Sequence, residues 1–190
     1  MAKVDALAKT PGICIFIDIT GSTKMKCSGL KQWVARIHNC FANSRANLSS
    51  FNPIKSIGDA LMYYIEEQDL LKSGYNELQI YDGLWQLATE RGSDFPDVKI
   101  GAAWCEDVYP ITFFSGSRDY YGIDIDLTAR LQSCASNKEV VIDDRLRAKV
   151  LTRYGNIGNR DQFLSVPRLR KPEPVSLKGI PGTVLISRGN

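Results

Sequence analysis

The stretch CIFIDITGSTK, residues 14–24, carries an apolar strand directly into an acid and then into a run of small polar residues. The alternating, β-branched pattern over 13–19 predicts a buried strand. Since side chains alternate across a strand, Cys14, Phe16 and Asp18 share one face and the intervening isoleucines share the other. Asp18 therefore either caps the helix that follows or binds a ligand in the space that Phe16 also faces.

The segments that follow this strand predict its topology. Apolar residues fall at helical spacing over 30–48 and again over 75–88, which predicts two amphipathic helices. Between them, residues 52–67 have the pattern of two strands joined by a turn at Gly58. A further strand is predicted over 98–106. The order strand, helix, strand, strand, helix, strand is that of a ferredoxin-like split βαβ core.

The rest of the chain completes a predicted α+β sandwich with additional C-terminal strands. The polar segment 153–162 is expected to be a surface loop. The remaining predicted elements are a hairpin arm (VYPITFF, 108–114), a helix (DIDLTARLQSCA, 124–135), and strands at EVVID (139–143), FLSV (163–166) and GTVLIS (182–187).

Composition favours one domain. With 190 residues, 44% of them apolar, the chain is long enough to bury a core without disulfides, and we expect a single domain over residues 1–190. The 24 basic and 21 acidic residues are mixed along the sequence, which argues against nucleic acid or a membrane as partner. Five cysteines without a C-x-x-C pair, and no signal peptide or long apolar run, predict a soluble, cytoplasmic protein.

Two acids are expected to converge in this topology. Asp18 ends the first strand and Asp59 sits at the tip of the adjacent hairpin. Two neighbouring carboxylates repel each other by several kcal/mol unless cations neutralise them, and two-metal sites are built in this way. The pattern therefore raises a metal site as the alternative to a capping role for Asp18.

Four motifs resemble those of class III nucleotidyl cyclases, in the order in which that family has them: FIDITGST (16–23), KSIGDALM (55–62), DYYGIDIDLTARLQ (119–132) and VSLKGI (175–180). Together they extend over nearly the whole chain. Diguanylate cyclases share the core fold, but they require a Gly-Gly-acid-acid-Phe hairpin, and IGDAL does not have that pattern.

The resemblance implies that the protein converts a nucleoside triphosphate to a 3′,5′-cyclic monophosphate and pyrophosphate. It also implies two divalent metal ions, Mn²⁺ or Mg²⁺, held by Asp18, Asp59 and the carbonyl of Ile19. Within the family these ions activate the ribose hydroxyl and bind the phosphates.

The resemblance further assigns phosphate-binding and catalytic residues. Gly21, Ser22 and Thr23 form a phosphate cradle at a helix start, and Lys178 is the late phosphate-binding lysine, which would otherwise be a solvated strand residue.

Asp126 and Arg130 are spaced i,i+4 on the predicted helix, so the simplest interpretation is that they form an ordinary ion pair within the helix. The resemblance instead makes Arg130 the residue that stabilises charge on the α-phosphate. Asp126 stands where the family usually has a ribose-positioning asparagine, which leaves a changed ribose pose or lost activity open.

Lys55 and Asp119 match the family's base-reading pair in the pattern typical of adenine, which argues against guanine. A stand-alone domain with an unusual helix motif also resembles the bacterial pyrimidine cyclases of Pycsar antiphage defence, which make cUMP or cCMP for a separate effector. Phe16 and the pair Tyr120-Tyr121 would line a base pocket that is smaller than one for a purine.

The resemblance thus favours UTP as substrate, and ATP with a cAMP product is the alternative. It also implies a homodimer with shared active sites. A non-catalytic nucleotide-binding or dimerisation module is the less favoured reading, because such a module does not need both acids, Arg130 and Lys178.

Overall fold

The computed structural model describes residues 8–49, 51–90, 95–111 and 119–190. The elements within these ranges are, in chain order, β1 Gly12–Ile19, α1 Ser22–Ser28, α2 Leu30–Asn47, β2 Lys55–Ile57, β3 Ala60–Glu66, α3 Glu67–Ser73, α4 Glu77–Thr89, β4 Val98–Cys105, β5 Tyr109–Ile111, β6 Asp119–Tyr121, α5 Ile123–Cys134, β7 Glu139–Asp143, α6 Asp144–Gly155, a 3₁₀ turn Val166–Arg168, β8 Glu173–Val175 and β9 Val184–Gly189.

The sheet confirms the predicted split βαβ core. Across the described ranges, seven strands form one sheet in the order β2-β3-β1-β4-β7-β9-β8, and β5 and β6 form a separate ribbon. Strand β1 lies between its antiparallel neighbours β3 and β4, and β2 pairs with β3 as a hairpin. Strand β7 joins parallel to β4, and β9 and β8 extend that edge. The result is the expected α+β sandwich with additional C-terminal strands.

The alternation of β1 divides the core into two clusters, as predicted. Its four isoleucines pack in a cluster with side chains of α2, α4 and α6. On the other face, Cys14 and Phe16 pack with Leu127 and Leu131 of α5. The face that carries Phe16 and Asp18 is therefore the face against which α5 lies.

Three helices of the described ranges, α1, α3 and α6, were not among the predicted elements. In α6 the buried side chains are Leu146 and Val150, and the sequence between and around them is mostly charged, so the helical period is weak. Asp143 caps this helix by accepting a hydrogen bond from the backbone N–H of Leu146. Because α6 ends at Gly155, the predicted loop 153–162 begins inside a helix. Helix α3 follows β3 without an intervening loop.

The prediction of a strand at FLSV is wrong. Leu164 is 63% exposed and Ser165 is fully buried, with its hydroxyl 2.6 Å from the Asp82 carboxylate. The apolar side chain thus points outward and the polar one inward, which is the reverse of a half-buried strand, and the pairing strand before β9 is β8. Residues 112–114 of the predicted hairpin arm lie outside the described residues. None of the helices in the described part of the chain is long and apolar enough to span a membrane.

Candidate active site

Two carboxylates meet where β1 ends beside the β2–β3 turn. Asp18 is opposite Ala60 in the β1–β3 register, and Ala60 directly follows Asp59. The turn contains Gly58, whose φ of 66° lies in the left-handed region that glycine adopts without strain. Burial raises the pKa of Asp18 and the charge of Asp59 raises it further, against a smaller opposing effect of the Ile19 backbone N–H. The structure therefore brings Asp18 and Asp59 within electrostatic reach of each other.

Each carboxylate is contacted by a side chain that sequence reasoning did not single out. Gln132 of α5 donates from Nε2 to Asp18 Oδ2 at 3.3 Å. Lys26 of α1 places Nζ 3.4 Å from Asp59 Oδ1. The charge of Lys99, opposite Asp18 in the β1–β4 register, lowers the pKa of Asp18 and partly offsets burial. No spacing rule points to Gln132 or Lys26, because each reaches its acid only through the packing of its helix.

Helix α1 begins at Ser22, shortly after Asp18 in the chain. Its N-cap, Gly21, has φ of 70° and ψ of 18°, with no side-chain cap and no acid in the first turn. Ser22 is buried and Thr23 is exposed. The first N–H groups of a helix need acceptors from outside it, and here no side chain caps them. This part of the predicted phosphate cradle has the donors that an anionic group requires.

Lys178, the predicted phosphate-binding lysine, lies in a turn between β8 and β9 and not in a strand. The turn is closed by a hydrogen bond from Ile180 N–H to the Leu177 carbonyl at 3.1 Å, and Leu177 is buried. Gly179 has φ of 81°. The Lys178 side chain is exposed and makes no hydrogen bond or ion pair with other described residues. Within the described part of one chain, no ion pair or hydrogen bond joins Lys178 to Asp18 or Asp59.

Asp126 and Arg130 are both exposed on α5, and no ion pair joins them within the described ranges. The simple i,i+4 pair is therefore absent. Since successive residues of an α-helix are about 100° apart, Arg130 projects from the side of α5 opposite to Gln132. Gln132 contacts Asp18, so Arg130 points away from the acidic pair of its own chain.

The position of α5 is fixed by a backbone contact at Gly101 of β4. A Cβ at this glycine would lie 2.2 Å from the backbone nitrogen of Gln132 and 2.7 Å from its Cα. Gly101 is also opposite Phe16 in the sheet register. Only a residue without a side chain lets α5 approach closely enough for Gln132 to reach Asp18.

A cluster of three charged residues, Asp124, Asp143 and Arg145, fixes the start of α5. Asp124 accepts hydrogen bonds from the backbone N–H groups of Glu106 at 2.9 Å and Asp107 at 3.1 Å. Arg145 forms ion pairs with Asp124 at 2.6 Å and with Asp143 at 2.9 Å. Burial alone would raise the pKa of Asp124, but the bonds from Arg145 and the two N–H groups together lower it. This charged cluster therefore connects the start of α5 to the end of β4, to β7 and to α6.

The structure also brings together the two residues predicted to read the base. Lys55 Nζ lies 2.8 Å and 2.7 Å from the two carboxylate oxygens of Asp119. The oxygen Oδ1 also accepts the Tyr120 backbone N–H at 2.8 Å, and Oδ2 accepts the Tyr121 hydroxyl at 3.1 Å. Burial acts to raise the pKa of Asp119, but Lys55 and these donors lower it. Each oxygen of Asp119 thus has two donors, which is its usual capacity.

The aromatic side chains differ in what they offer to a base. Tyr120 is 3% exposed and stacks on Tyr64 with ring centroids 4.2 Å apart, so it is a core residue. Tyr121 is 38% exposed. Phe16 is 8% exposed and shares a rung of the sheet with Lys55, because both are paired with Met62. Phe16 and Lys55 therefore lie on one face, but little of Phe16 is accessible to a base.

The donor set fits a hard divalent cation whose coordination is completed by a substrate. Asp18 and Asp59 supply carboxylate oxygens, and Ile19 supplies a carbonyl. No cluster of three or more histidine, cysteine or acidic side chains that could hold a metal occurs among the described residues. Mg²⁺ is commonly bound by one or two carboxylates together with substrate phosphates. The repulsion that raises the pKa of Asp18 is what a cation between the two acids would relieve.

Comparison with known proteins identifies the fold. No family model and no curated protein matches the sequence. Among solved structures, the chain is similar to the adenylyl cyclase CyaB from P. aeruginosa, with a TM-score of 0.73 and 12% identity over 96% of this chain and 95% of that one. It is similar to the guanylyl cyclase Cya2, with a TM-score of 0.68 and 14% identity over 96% and 93% of the two chains.

A third similar structure is the guanylate cyclase domain of RhGC from Catenaria anguillulae in complex with GTP, with a TM-score of 0.63 and 13% identity over 96% and 98% of the chains. These neighbours are class III adenylyl and guanylyl cyclase catalytic domains. The chain therefore has the fold that its motifs predicted.

Proposed function

We propose that the protein is a nucleotidyl cyclase that converts a nucleoside triphosphate to its 3′,5′-cyclic monophosphate and pyrophosphate. The observation that carries this proposal is the acidic pair Asp18 and Asp59, which lies beside the start of α1 in a chain with a cyclase fold. In the reaction the ribose 3′-oxygen attacks the α-phosphorus, the bond to the β-phosphate oxygen breaks, and the hydroxyl proton is released.

The acidic pair and the start of α1 hold the triphosphate in this proposal. Asp18, Asp59 and the Ile19 carbonyl would bind two Mn²⁺ or Mg²⁺ ions, which when bound lower the pKa of the attacking hydroxyl and neutralise phosphate charge. The backbone N–H groups from Gly21 to Thr23 orient the phosphates. Lys178, which has no ion pair with Asp18 or Asp59 in the described part of its own chain, would add a positive charge from the exposed turn of the second copy in a homodimer.

The active site is shared between two copies of the chain. Arg130 and Asp126 are exposed and lie on the side of α5 away from Gln132, so they cannot act on a substrate held by the acidic pair of their own chain. In a head-to-tail homodimer they would face the acidic pair of the partner. There Arg130 stabilises negative charge on the α-phosphate, and Asp126 accepts a hydrogen bond from the ribose.

We favour UTP as the substrate and cUMP as the product. Both oxygens of Asp119 already have two donors each, so Asp119 accepts an exocyclic amine only after Tyr121 or Lys55 moves. Lys55 has a third N–H, which no described residue accepts, and it can donate to a base carbonyl such as uracil O4. A pyrimidine also needs less space beside the nearly buried Phe16.

ATP is the second candidate because the Lys55–Asp119 pair has the composition of the adenine readers. With UTP, the product would be a second messenger for a separate effector in an antiviral system of the Pycsar type. One assay distinguishes the two candidates, because UTP would give cUMP and ATP would give cAMP.

Replacing Asp59 by asparagine tests the proposed chemistry. Cyclic nucleotide and pyrophosphate formation with Mn²⁺ should fall at least about 100-fold, because the variant lacks a metal-binding charge. Asp161→Asn, in an exposed loop, is the matched control and should retain activity. Retention of activity by Asp59→Asn would exclude the proposed metal site.

Mixing two inactive variants tests the shared site. Asp18→Ala chains combined with Arg130→Ala chains should recover up to about one quarter of wild-type activity, since one intact site forms when the two kinds of chain pair at random. Proven subunit exchange without recovered activity would contradict a shared site.

A further inference from the structure

Lys26 is positioned at the acidic pair by contacts on two sides. Its Nζ lies 3.4 Å from Asp59 Oδ1 and 4.6 Å from the centroid of the Trp33 ring on α2. The Asp59 side chain is 18% exposed and that of Lys26 is 38% exposed, so the contact is partly shielded from solvent. A lysine held between an aromatic face and a carboxylate has a defined position for its charge.

This charge acts where a metal ion would act. Asp18 and Asp59 repel each other, and Lys26 contacts the member of the pair that Gln132 does not contact. In the chain without metal, Lys26 supplies part of the positive charge that the two carboxylates require. A divalent cation bound to Asp59 would lie close to the ammonium group of Lys26 and would be repelled by it.

We propose that Lys26 is an internal counter-cation of the metal site: it neutralises Asp59 in the absence of metal and must leave this carboxylate when a divalent ion binds. Lys26 therefore weakens binding of the free metal ion. This inference rests on the proposed metal site, and it concerns metal affinity in the absence of any nucleotide. Lys26 is a positioning residue here and takes no part in the chemical step.

The test is a titration of the full chain with Mn²⁺ alone, followed by electron paramagnetic resonance of the free ion. Lys26→Met keeps the length and the apolar stem of the side chain and removes its charge. It should bind Mn²⁺ about three to ten times more tightly than the wild type, a range in keeping with one nearby, partly shielded charge. Lys26→Arg should restore the wild-type affinity.

Lys24→Met is the matched control, since Lys24 is an exposed lysine on the same helix and its removal changes the net charge equally. It should change the affinity less than twofold. If Lys26→Met binds Mn²⁺ no more tightly than Lys24→Met, the inference about Lys26 is wrong.

The design separates this failure from failure of the metal site. Asp59→Asn should abolish the Mn²⁺ binding that Lys26 modulates. Wild-type binding that survives Asp59→Asn would overturn the metal site and with it the role of Lys26. Binding that depends on Asp59 but is unaffected by Lys26→Met would overturn only the role of Lys26. A larger rise in melting temperature on adding Mn²⁺ to Lys26→Met than to the wild type is the second expected readout.

Discussion

Replacing Gly101 by alanine tests how closely α5 must approach the sheet for the site to form. The added Cβ would lie 2.2 Å from the backbone nitrogen of Gln132, whereas ordinary contacts begin at 3.4 Å. The Cβ is attached directly to a strand backbone and the nitrogen belongs to a helix backbone, so neither can move alone and β4 and α5 must separate by roughly 1 Å. Overpacking of this kind costs about 1–3 kcal/mol in the free energy of unfolding. For a chain of this size, that lowers the melting temperature by about 2–12 °C.

The same displacement should affect activity more strongly than stability. Gln132, Asp126 and Arg130 all lie on α5, and a misplacement of about 1 Å in a catalytic arrangement costs about 100-fold in rate. Melting temperature is measured by calorimetry and cyclic nucleotide formation by chromatography on the same preparations. Gly155→Ala is the control, because a Cβ there meets no atom within 4 Å. It should change the free energy of unfolding by less than about 1 kcal/mol and leave activity intact.

Two outcomes would refute this reasoning. A Gly101→Ala variant with wild-type melting temperature would show that the contact with Gln132 does not limit the packing of α5. A variant that melts earlier yet retains full activity would show that α5 stabilises the fold without positioning the site.

Three further predictions concern single side chains. Arg130→Lys should lower kcat at least about 100-fold with an unchanged melting temperature, because the side chain is exposed and a lysine lacks the planar, bidentate geometry that suits phosphate; a variant with normal kcat would remove Arg130 from the mechanism. Asp124→Asn should lower the free energy of unfolding by about 2 kcal/mol near pH 7 through loss of the charged bond to Arg145. The pKa of Asp124 is lowered in the folded state, so its stabilising contribution is fully present above its ordinary pKa of 3.8 and is lost as the pH falls through the lower folded value. The urea unfolding curves of wild type and variant should therefore begin to converge as the pH falls below about 4, and a constant difference at all pH values would contradict this assignment. Tyr121→Phe removes one donor to Asp119 and should raise turnover of ATP relative to UTP by about fivefold to tenfold in a competition assay, while an unchanged ratio would show that the hydroxyl does not select the base.

The core topology was predictable because the sequence signals are local and strong there. Alternation over β1 indicated both the strand and its two faces, and glycine with an acid between apolar runs indicated the hairpin. Once the split βαβ order was recognised, the approach of Asp18 to Asp59 followed from the topology alone. The pairing of Lys55 with Asp119 depended on the family resemblance, since β6 reaches Lys55 only through tertiary packing.

The parts that were missed depend on contacts between distant segments. Helix α6 buries few side chains, so its charged sequence shows little helical period. FLSV has strand-like residues, but the hydrogen bond from Ser165 to Asp82 holds the polar side chain inside. Lys26 lies three residues after the first motif and Gln132 is the last residue of the third, and their roles depend on the angle at which α1 and α5 pack. The hydrophobic periodicity of the sequence does not specify that packing angle.

Identification of the reaction product tests the central claim most directly. Purified protein is incubated with Mn²⁺ and each of UTP, CTP, ATP and GTP in turn, and the products are identified by mass spectrometry. The predicted result is cUMP with an equal amount of pyrophosphate from UTP, at a rate well above that with the other three substrates. Formation of cAMP alone would contradict the assignment of UTP, and no cyclic nucleotide from any of the four would contradict the assignment as a cyclase.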